Sequence, residues 1–256
     1  MGCNVRVVGG RIASVDVTVV GSGPNGLAAA VICARAGLSV QVFEAQPTLG
    51  GGARTLPDPE FAGVSHDICS AVHPLALASP FLAEFNLPAR GVTLKAPEVA
   101  YANPLPSLPA AVGYHDLDRT CAELGDGDSW RRLLGPLVGR DDGVIKLLLG
   151  DKRSISTDPI AAVRVARRLV EQGTPAWGSL AGTDARALFT GVAAHMISQM
   201  PSLVSAGAGL MLATLAHTVG WPIPVGGSQA IPDALIADLR AHGRTWREIT
   251  GLLGIY

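Results

Sequence analysis

The segment from Val17 to Thr55 constrains the fold more than any other part of the chain. It reads VTVVGSGPNGLAAAVICARAGLSVQVFEAQPTLGGGART, so a β-branched run, a glycine turn, an alanine-rich stretch and a second apolar run follow one another. This pattern predicts a buried strand at Asp16–Val20, a helix at Pro24–Ala36 that stops at Gly37, and a second buried strand at Ser39–Phe43. A strand–helix–strand unit of this length implies parallel neighbouring strands with a right-handed crossover.

The glycine turn has the spacing of a dinucleotide-binding fingerprint, because its glycines follow a strand and open a helix. Gly21 permits the tight turn, Gly23 lets the backbone approach a pyrophosphate, and Gly26 lets the helix pack against the strand. N–H groups at the helix start, aided by the helix dipole, then face the phosphates. The turn therefore predicts cofactor contacts at Gly21, Gly23, Pro24, Asn25 and Gly26.

An acidic residue ends the second strand, where one is expected to accept hydrogen bonds from ribose hydroxyls. Glu44 lies 18 residues after Gly26, close to the usual separation of about 20. A carboxylate there disfavours a 2′-phosphate, so FAD or NAD fits better than NADP. The alternative, a glycine turn in an ordinary βαβ unit, is disfavoured by the complete pattern.

The residues after Glu44 distinguish an FAD-binding site from an NAD-binding site. Three glycines, Gly50–Gly52, are followed by an arginine, whereas an NAD domain would continue into an ordinary helix. Such a cluster suits a backbone that crosses close to a long cofactor, with Arg54 near its phosphates or ring. The alternative for Arg54 is an arginine in a surface loop. The sequence predicts FAD, and the remaining predicted cofactor-binding residues are Ala45, Gly51, Gly52, Arg54 and Thr55.

The chain resembles the flavin-dependent amine oxidase and phytoene desaturase superfamily. Glu44, five residues and Gly50-Gly51 match its two-glycine variant, while HDICSAVHPLALASPFL (66–82) and AHTVGWPIPVGGSQAIPDALIADL (216–239) look like the phytoene-dehydrogenase-like branch of NAD(P)/FAD-dependent oxidoreductases. The resemblance covers residues 15–243. It implies an FAD-dependent oxidoreductase in which a C–H bond of an apolar substrate gives a hydride to the flavin.

The resemblance also implies a domain organisation. The fold class is α/β: an FAD-binding Rossmann-like βαβ unit of the glutathione-reductase type, incomplete here, with a mainly helical substrate domain. We expect a leader at 1–14, the FAD-binding unit and glycine loop at 15–65, a partial substrate domain at 66–225, and a truncated return to the FAD domain at 226–256. The HDICSAVHP segment and the Gly226-Gly227 loop would bring the substrate to the flavin.

The end of the chain departs from the family pattern. WREIT (246–250) predicts the start of a third strand, but the closing Gly-Asp segment of the superfamily does not follow. We therefore expect an N-terminal fragment or truncated product. The alternative function is an inactive nucleotide-binding remnant, or a half that needs a separately encoded C-terminal part. A third hypothesis, an NAD-binding module of another dehydrogenase, is disfavoured by Gly50–Gly52. No catalytic residue is assigned.

Composition excludes several other classes. Hydrophobic residues make up 48% and charged residues 16% of the chain, with a formal net charge of −1, which is typical of a globular protein and gives no electrostatic signal for nucleic acid. Arg164, Arg167 and Arg168 are interpreted as a solvated helix face. The four cysteines form no CxxC pair, which favours a cytoplasmic location. The predicted partner is an apolar small-molecule substrate, and the sequence does not predict the oligomeric state.

The segment HDICSAVH contains four potential metal ligands, namely His66, Asp67, Cys69 and His73. Their spacing fits no compact zinc pattern, so no metal is predicted and a cofactor-lining loop is favoured. His195 and His217 lie on apolar stretches and are predicted to be core histidines rather than bases.

Helix signals dominate the second half. We predict helices that begin at a cap at Asp128 or Ser129, run from Asp158 to Gly173, begin at a cap at Asp184 and stop at Pro201, and run from a cap at Ser228 to His242. The apolar helix Leu203–Val219 should be buried. Its 14 most apolar residues, 203–216, are too few for a membrane span of about 20, so a peripheral membrane contact is the alternative for this stretch.

Overall fold

A computed structural model describes residues 15–106, 108–150, 158–176 and 182–242, together with the backbone of 247–249. The predicted leader lies outside the described residues. Two compact units are present, one comprising the chain up to Ser70 and from Gly226 onward, the other running from Ala71 to Val225. Residues 66–70, which the sequence placed in the second domain, belong to the first unit because the strand at Ser65–Asp67 pairs with Thr55–Pro57.

The elements are numbered along the chain. The strands are β1 (Val17–Val20), β2 (Val40–Phe43), β3 (Thr55–Pro57), β4 (Ser65–Asp67), β5 (Leu94–Lys95), β6 (Val99–Leu105), β7 (Leu108–Tyr114), β8 (Ile223–Pro224) and β9 (Arg247–Ile249). The helices are α1 (Pro24–Arg35), α2 (Pro74–Ala78), α3 (Pro80–Phe85), α4 (Leu117–Glu123), α5 (Gly127–Val138), α6 (Asp141–Leu149), α7 (Pro159–Gly173), α8 (Asp184–Ala193), α9 (Leu203–Ala216) and α10 (Ala230–His242).

The first unit is built on a parallel sheet in the order β1–β2–β9. Val17 lies opposite Val40, and Gln41 lies opposite Arg247. The predicted parallel pairing of the first two strands is confirmed, and so is the third strand that WREIT predicted. The β-branched sequence VTVV explains β1, since such side chains pack well on a pleated surface.

Helix α1 connects β1 to β2 and packs its apolar stripe inward. Its buried residues recur at helical spacing: Leu27, Ala30, Val31 and Ala34. As predicted, Gly37 stops the helix, with φ of +84° and its N–H donating to the Ala34 carbonyl. Arg35 at the last turn forms a two-pronged ion pair with the buried Asp238 of α10, with N–O distances of 2.9 and 2.8 Å. The two helices are thereby fixed to each other.

Helix α9 lies in the core of the second unit, where it packs against α7 and α8. Ser202 caps it by accepting a hydrogen bond from the Ser205 N–H at 3.2 Å. The helix ends at Ala216, not at the predicted Val219, and the prediction that all of it is buried is wrong. Leu203 and Val204 are 55% and 57% exposed, because the first turn reaches the surface. In the described residues, no helix has the length and hydropathy that crossing a membrane requires.

Two predicted helix starts in the second unit are wrong, and for the second the capping group is remote in sequence. Helix α5 begins at Gly127, before Asp128 and Ser129. Asp184 is the first residue of α8 rather than its cap, and the Asp126 carboxylate accepts from the Ala185 N–H at 2.9 Å instead. Helix α8 ends at Ala193, so Pro201 does not terminate it.

The sequence predicted helix caps at Asp158 and Ser228, and only the cap at Asp158 is confirmed. Asp158 caps α7 as predicted, since its carboxylate accepts a hydrogen bond from the Ala161 N–H at 2.9 Å. Ser228 does not cap α10 with its side chain. Its hydroxyl donates to the Ser70 carbonyl at 2.5 Å, which fixes the segment before the helix to the loop after β4. Helix α10 begins at Ala230, so Ser228 lies two residues before the first helical residue rather than at the cap position.

His217 is the buried core histidine that the sequence predicted. Its Nε2 accepts a hydrogen bond from Trp130 Nε1 at 2.9 Å, and its Nδ1 lies 3.4 Å from the His115 carbonyl. Burial lowers the pKa of His217 to about 4, against the opposing effect of the carbonyls of His115 and Tyr114. Because Nε2 accepts from Trp130, the ring must be neutral in the folded protein. His195 differs from its prediction, since it lies exposed in the turn after α8.

We expect acid to destabilise the protein through His217. Its ordinary pKa of 6.5 falls to about 4 on folding, so the unfolded chain binds more protons between these values. The free energy of unfolding should therefore decrease as pH falls from 6.5, by up to about 3 kcal/mol at pH 4. Urea unfolding across this range, compared with His217→Gln, measures the effect. Parallel pH profiles for the two proteins would contradict it.

Candidate functional site

The turn between β1 and α1 requires two of its glycines for structural reasons. Gly21 has φ of +91°, a region that favours glycine, and its N–H donates to the Phe43 carbonyl at 2.7 Å. A Cβ on Gly26 would lie 2.2 Å from the Gly21 carbonyl oxygen. The helix start therefore packs directly on the turn, as the fingerprint predicted.

Gly23 is not required by the fold. Its φ of −62° and ψ of 166° are accessible to any residue. Apart from its two chain neighbours, no described residue has an atom within 4 Å of the position that a Cβ would occupy. The glycine loop supports the turn from another side, because a Cβ on Gly51 would lie 2.7 Å from the Gly23 Cα. An open space therefore faces the backbone where close approach of a ligand was predicted.

The start of α1 presents N–H groups that lack protein acceptors. In the part of the chain that the structure describes, no acceptor is found for the backbone N–H of Gly23, Asn25 or Gly26. Pro24 occupies the first helical position, where its missing N–H costs no helical hydrogen bond. No acidic residue lies in the first turn. Free N–H groups and the positive end of the helix dipole together form a site suited to an anion.

Glu44 is a buried carboxylate tied to the glycine turn. Its Oε2 accepts from the Ser22 N–H at 2.9 Å and from the Ser22 hydroxyl at 2.5 Å, while Oε1 accepts from the Gln46 N–H at 2.9 Å. Burial raises the pKa of Glu44, but the hydrogen bonds from Ser22, Gln46 and Ala45 outweigh burial and lower it overall. The group is therefore ionised at neutral pH. An ionised carboxylate at this position is the kind of acceptor that a ligand hydroxyl requires.

Ser22 is a functional residue that the sequence analysis missed. It is completely buried, and besides contacting Glu44 its hydroxyl accepts from the Gly50 N–H at 3.1 Å. One side chain thus joins the glycine turn, the end of β2 and the glycine loop. The available signal was its position as a small polar residue between Gly21 and Gly23.

Arg54 follows a 3-10 turn at Gly51–Ala53 and lies against the glycine loop. Its Nε donates to the Gly51 carbonyl at 2.9 Å, and Nη1 lies 3.3 Å from the Thr48 hydroxyl. Among the described residues no carboxylate forms an ion pair with Arg54, so its charge is available to an anionic ligand. The structure thus brings Arg54 and Gly51 to the turn that contains Gly23. Ala45 and Gly52 are exposed on the same segment.

Thr55 contributes to the site indirectly. Its hydroxyl donates to Asp67 Oδ1 at 2.5 Å and accepts from the Gln229 N–H at 3.0 Å, so the protein uses it fully. A Cβ on Gly227 would lie 2.4 Å from this hydroxyl, and the close approach predicted for Gly227 is therefore to Thr55. Gly226, with φ of +86°, has open space around it. Thr55 and Asp67 together position the loop before α10.

The HDICSAVH segment does return to the glycine loop. The Ser70 N–H donates to the Gly52 carbonyl at 3.1 Å, and Asp67 holds Thr55. His66 pairs with Asp58 at 2.6 Å instead of joining its neighbours, and His73 belongs to the second unit. Across the described ranges, no three histidine, cysteine, aspartate or glutamate side chains form a potential metal site.

Comparison with known proteins agrees with this geometry. Residues 19–84 match the family described as "NAD(P)-binding Rossmann-like domain". An uncharacterized protein of Mycobacterium tuberculosis is 27% identical over 259 residues, covering 89% of this chain and 46% of that protein. The chain thus spans about half the length of the curated relatives it matches.

Solved structures share the fold at low sequence identity. Wild-type putrescine oxidase bound to putrescine matches with a TM-score of 0.56 and 20% identity over 91% of this chain and 50% of that one. The fatty acid isomerase of P. acnes that produces CLA matches with a TM-score of 0.53 and 15% identity, over 91% and 51%. The chain therefore has a Rossmann-like unit and shares the α/β fold of these two proteins, as the resemblance implied.

Proposed function

We propose that the first unit binds FAD and that the protein to which this chain belongs is a flavin-dependent oxidoreductase of the phytoene-dehydrogenase-like kind. In this reaction a C–H bond of an apolar substrate gives a hydride to the flavin. The observation that carries the proposal is the open space at Gly23, lined by unpaired N–H groups and adjoining the ionised Glu44.

The residues of the turn fit the adenosine diphosphate half of FAD. The N–H groups of Gly23, Asn25 and Gly26 are free to donate to pyrophosphate oxygens, and Arg54 supplies positive charge. The ionised carboxylate of Glu44 suits a ribose hydroxyl, whereas a 2′-phosphate would face this buried negative charge. FAD is favoured over NAD because the loop of Gly51 and Arg54 lies against the turn.

The chemistry divides between the cofactor and the chain. When bound, flavin supplies the acceptor for hydride, and the protein binds and orients it. In the first unit, Ser22 holds the ionised Glu44 and the Gly50 N–H in fixed positions. Thr55 and Asp67 fix the loop that contains Gly226 and Gly227. No side chain of the described residues is assigned a proton-transfer role.

The proposal that the substrate is apolar is supported by the composition of helix α9. Helix α9, at the core of the second unit, carries no charged residue in 14 positions. It packs against neighbouring helices throughout its later part, so a substrate passage along it remains a prediction from the resemblance. The proteins with related folds are named for different molecules, putrescine in one and a fatty acid in the other. A cytoplasmic location and a peripheral membrane contact also stay predictions.

A second candidate function is a nucleotide-binding unit that turns over substrate only with a separately encoded part. The observation that favours it is the outer edge of β1. In the described residues β1 pairs with β2 alone, and Val20 at its end is 79% exposed. An unpaired strand edge leaves backbone N–H and C=O groups open to pairing, so another strand or chain would complete this sheet.

A visible spectrum of the purified chain separates the two candidates. If the chain is an oxidoreductase by itself, added FAD should give a stoichiometric flavin spectrum that a reductant bleaches and air restores, and an apolar substrate should bleach it as well. Bound flavin that only dithionite bleaches would favour the second candidate. A protein that is colourless once the excess FAD has been removed would contradict both candidates.

A further inference from the structure

A cleft on the second unit has the features of a binding site that the proposed function does not use. It lies between α5 and α7 and has a volume of about 400 Å³, which is within the usual size range for small-molecule sites. Helix α5 contributes Ser129, Arg132, Leu133 and Pro136 at the i, i+3, i+4 and i+7 spacing of one helix face. All of its lining residues belong to the second unit.

The cleft is positively charged. Arg132, Arg167 and Arg168 line it with one acid, Glu171, so two positive charges are in excess. Burial raises the pKa of Glu171, but the two arginines of α7 outweigh this and lower it. The prediction that the arginines of α7 form a solvated face is wrong for Arg168, whose side chain is only 15% exposed.

Contacts within the protein hold the guanidinium groups in place. Arg168 donates to both the Arg132 carbonyl and Glu171, and Arg167 Nε donates to Glu171 at 2.7 Å. Arg132 is the most available of the three to a ligand, because its guanidinium contacts the neutral Ser129 hydroxyl, at 3.0 Å, among the described residues. Arginines fixed in this way have lost side-chain entropy already and can hold an oxyanion with several N–H groups.

An apolar wall lies beside the arginines. Leu133 and Pro136 of α5 line the cleft next to Arg132. Planar guanidinium groups bind phosphate oxygens through several N–H donors, and the apolar wall suits the carbon part of a phosphorylated molecule.

We propose that the cleft between α5 and α7 binds a small phosphorylated molecule. Arg132 is the main cationic contact, and Arg168 holds the Arg132 backbone in place by donating to its carbonyl. This site is independent of the glycine turn, because none of its residues belongs to the first unit.

Calorimetric titration with inorganic phosphate at constant ionic strength tests the site in the full chain. Phosphate should bind saturably, and Arg132→Gln should weaken binding at least about tenfold. The matched control is Arg131→Gln, which removes the same charge from the adjacent residue, where Arg131 pairs with Asp118 outside the cleft. The control should change affinity less than about twofold. Circular dichroism should show that both variants, altered at exposed positions, remain folded.

Absence of saturable phosphate binding, or equal losses in Arg131→Gln and Arg132→Gln, would overturn the site. Neither result depends on whether FAD binds the first unit.

Discussion

Replacing Gly23 with valine should abolish FAD binding and leave the protein folded. Apart from its two chain neighbours, no described residue has an atom within 4 Å of the Cβ position at Gly23, and its backbone angles are allowed for valine. The new side chain would therefore occupy the space assigned to the pyrophosphate without disturbing the protein. We expect FAD affinity to fall at least about 100-fold, as measured by quenching of flavin fluorescence.

A matched control for this substitution is available on the same helix. Ala29→Val adds a similar volume on the exposed face of α1, and it should leave FAD affinity unchanged within about twofold. Both variants should retain the helical circular dichroism of the parent. Retained FAD binding in Gly23→Val would show that the fingerprint has been misassigned.

Replacing Gly26 with alanine should destabilise the folded protein, because the packing around Gly26 leaves no room for a methyl group. The new Cβ would lie 2.2 Å from the Gly21 carbonyl oxygen and 3.4 Å from Val19 Cγ1. Gly21 cannot easily retreat, since its N–H donates to the Phe43 carbonyl at 2.7 Å. We expect the free energy of unfolding to fall by about 3 kcal/mol, measured by urea denaturation.

Gly207→Ala provides the control for a methyl group added to a helix. A Cβ at Gly207 in α9 would have Leu169 Cδ2 at 3.5 Å as its nearest neighbour outside its own helix, which is ordinary contact. This variant should be neutral or more stable by up to about 1 kcal/mol. If Gly26→Ala were as stable as Gly207→Ala, the close packing of α1 on the turn would be wrong.

The first unit could be predicted because its signals are local. The β-branched run, the glycine turn and Gly37 each determine the backbone within a few residues, and the structure has the predicted elements within one or two residues. Thr55 shows the limit of this reasoning. Its hydroxyl is occupied by Asp67 and by the Gln229 N–H, and these partners are 12 and 174 residues away in sequence.

Long-range contacts explain the other differences between sequence and structure. Asp126 caps α8 from a position 59 residues earlier in the chain, so the pattern around Asp184 was misleading. Ser22 carries no signal of its own until Glu44 and Gly50 are placed around it. Likewise, Arg168 resembles a surface residue until α5 packs beside α7 and supplies the Arg132 carbonyl.

The central claim is that the glycine turn and Glu44 bind the adenosine diphosphate half of FAD. Calorimetric titration of the chain with FAD and, separately, with FMN tests it most directly, because FMN lacks the adenosine and one of the two phosphates of that half. FAD should bind saturably with a stoichiometry near one, and FMN should bind at least about 100-fold more weakly. Equal binding of FAD and FMN, or no binding of FAD, would contradict the account.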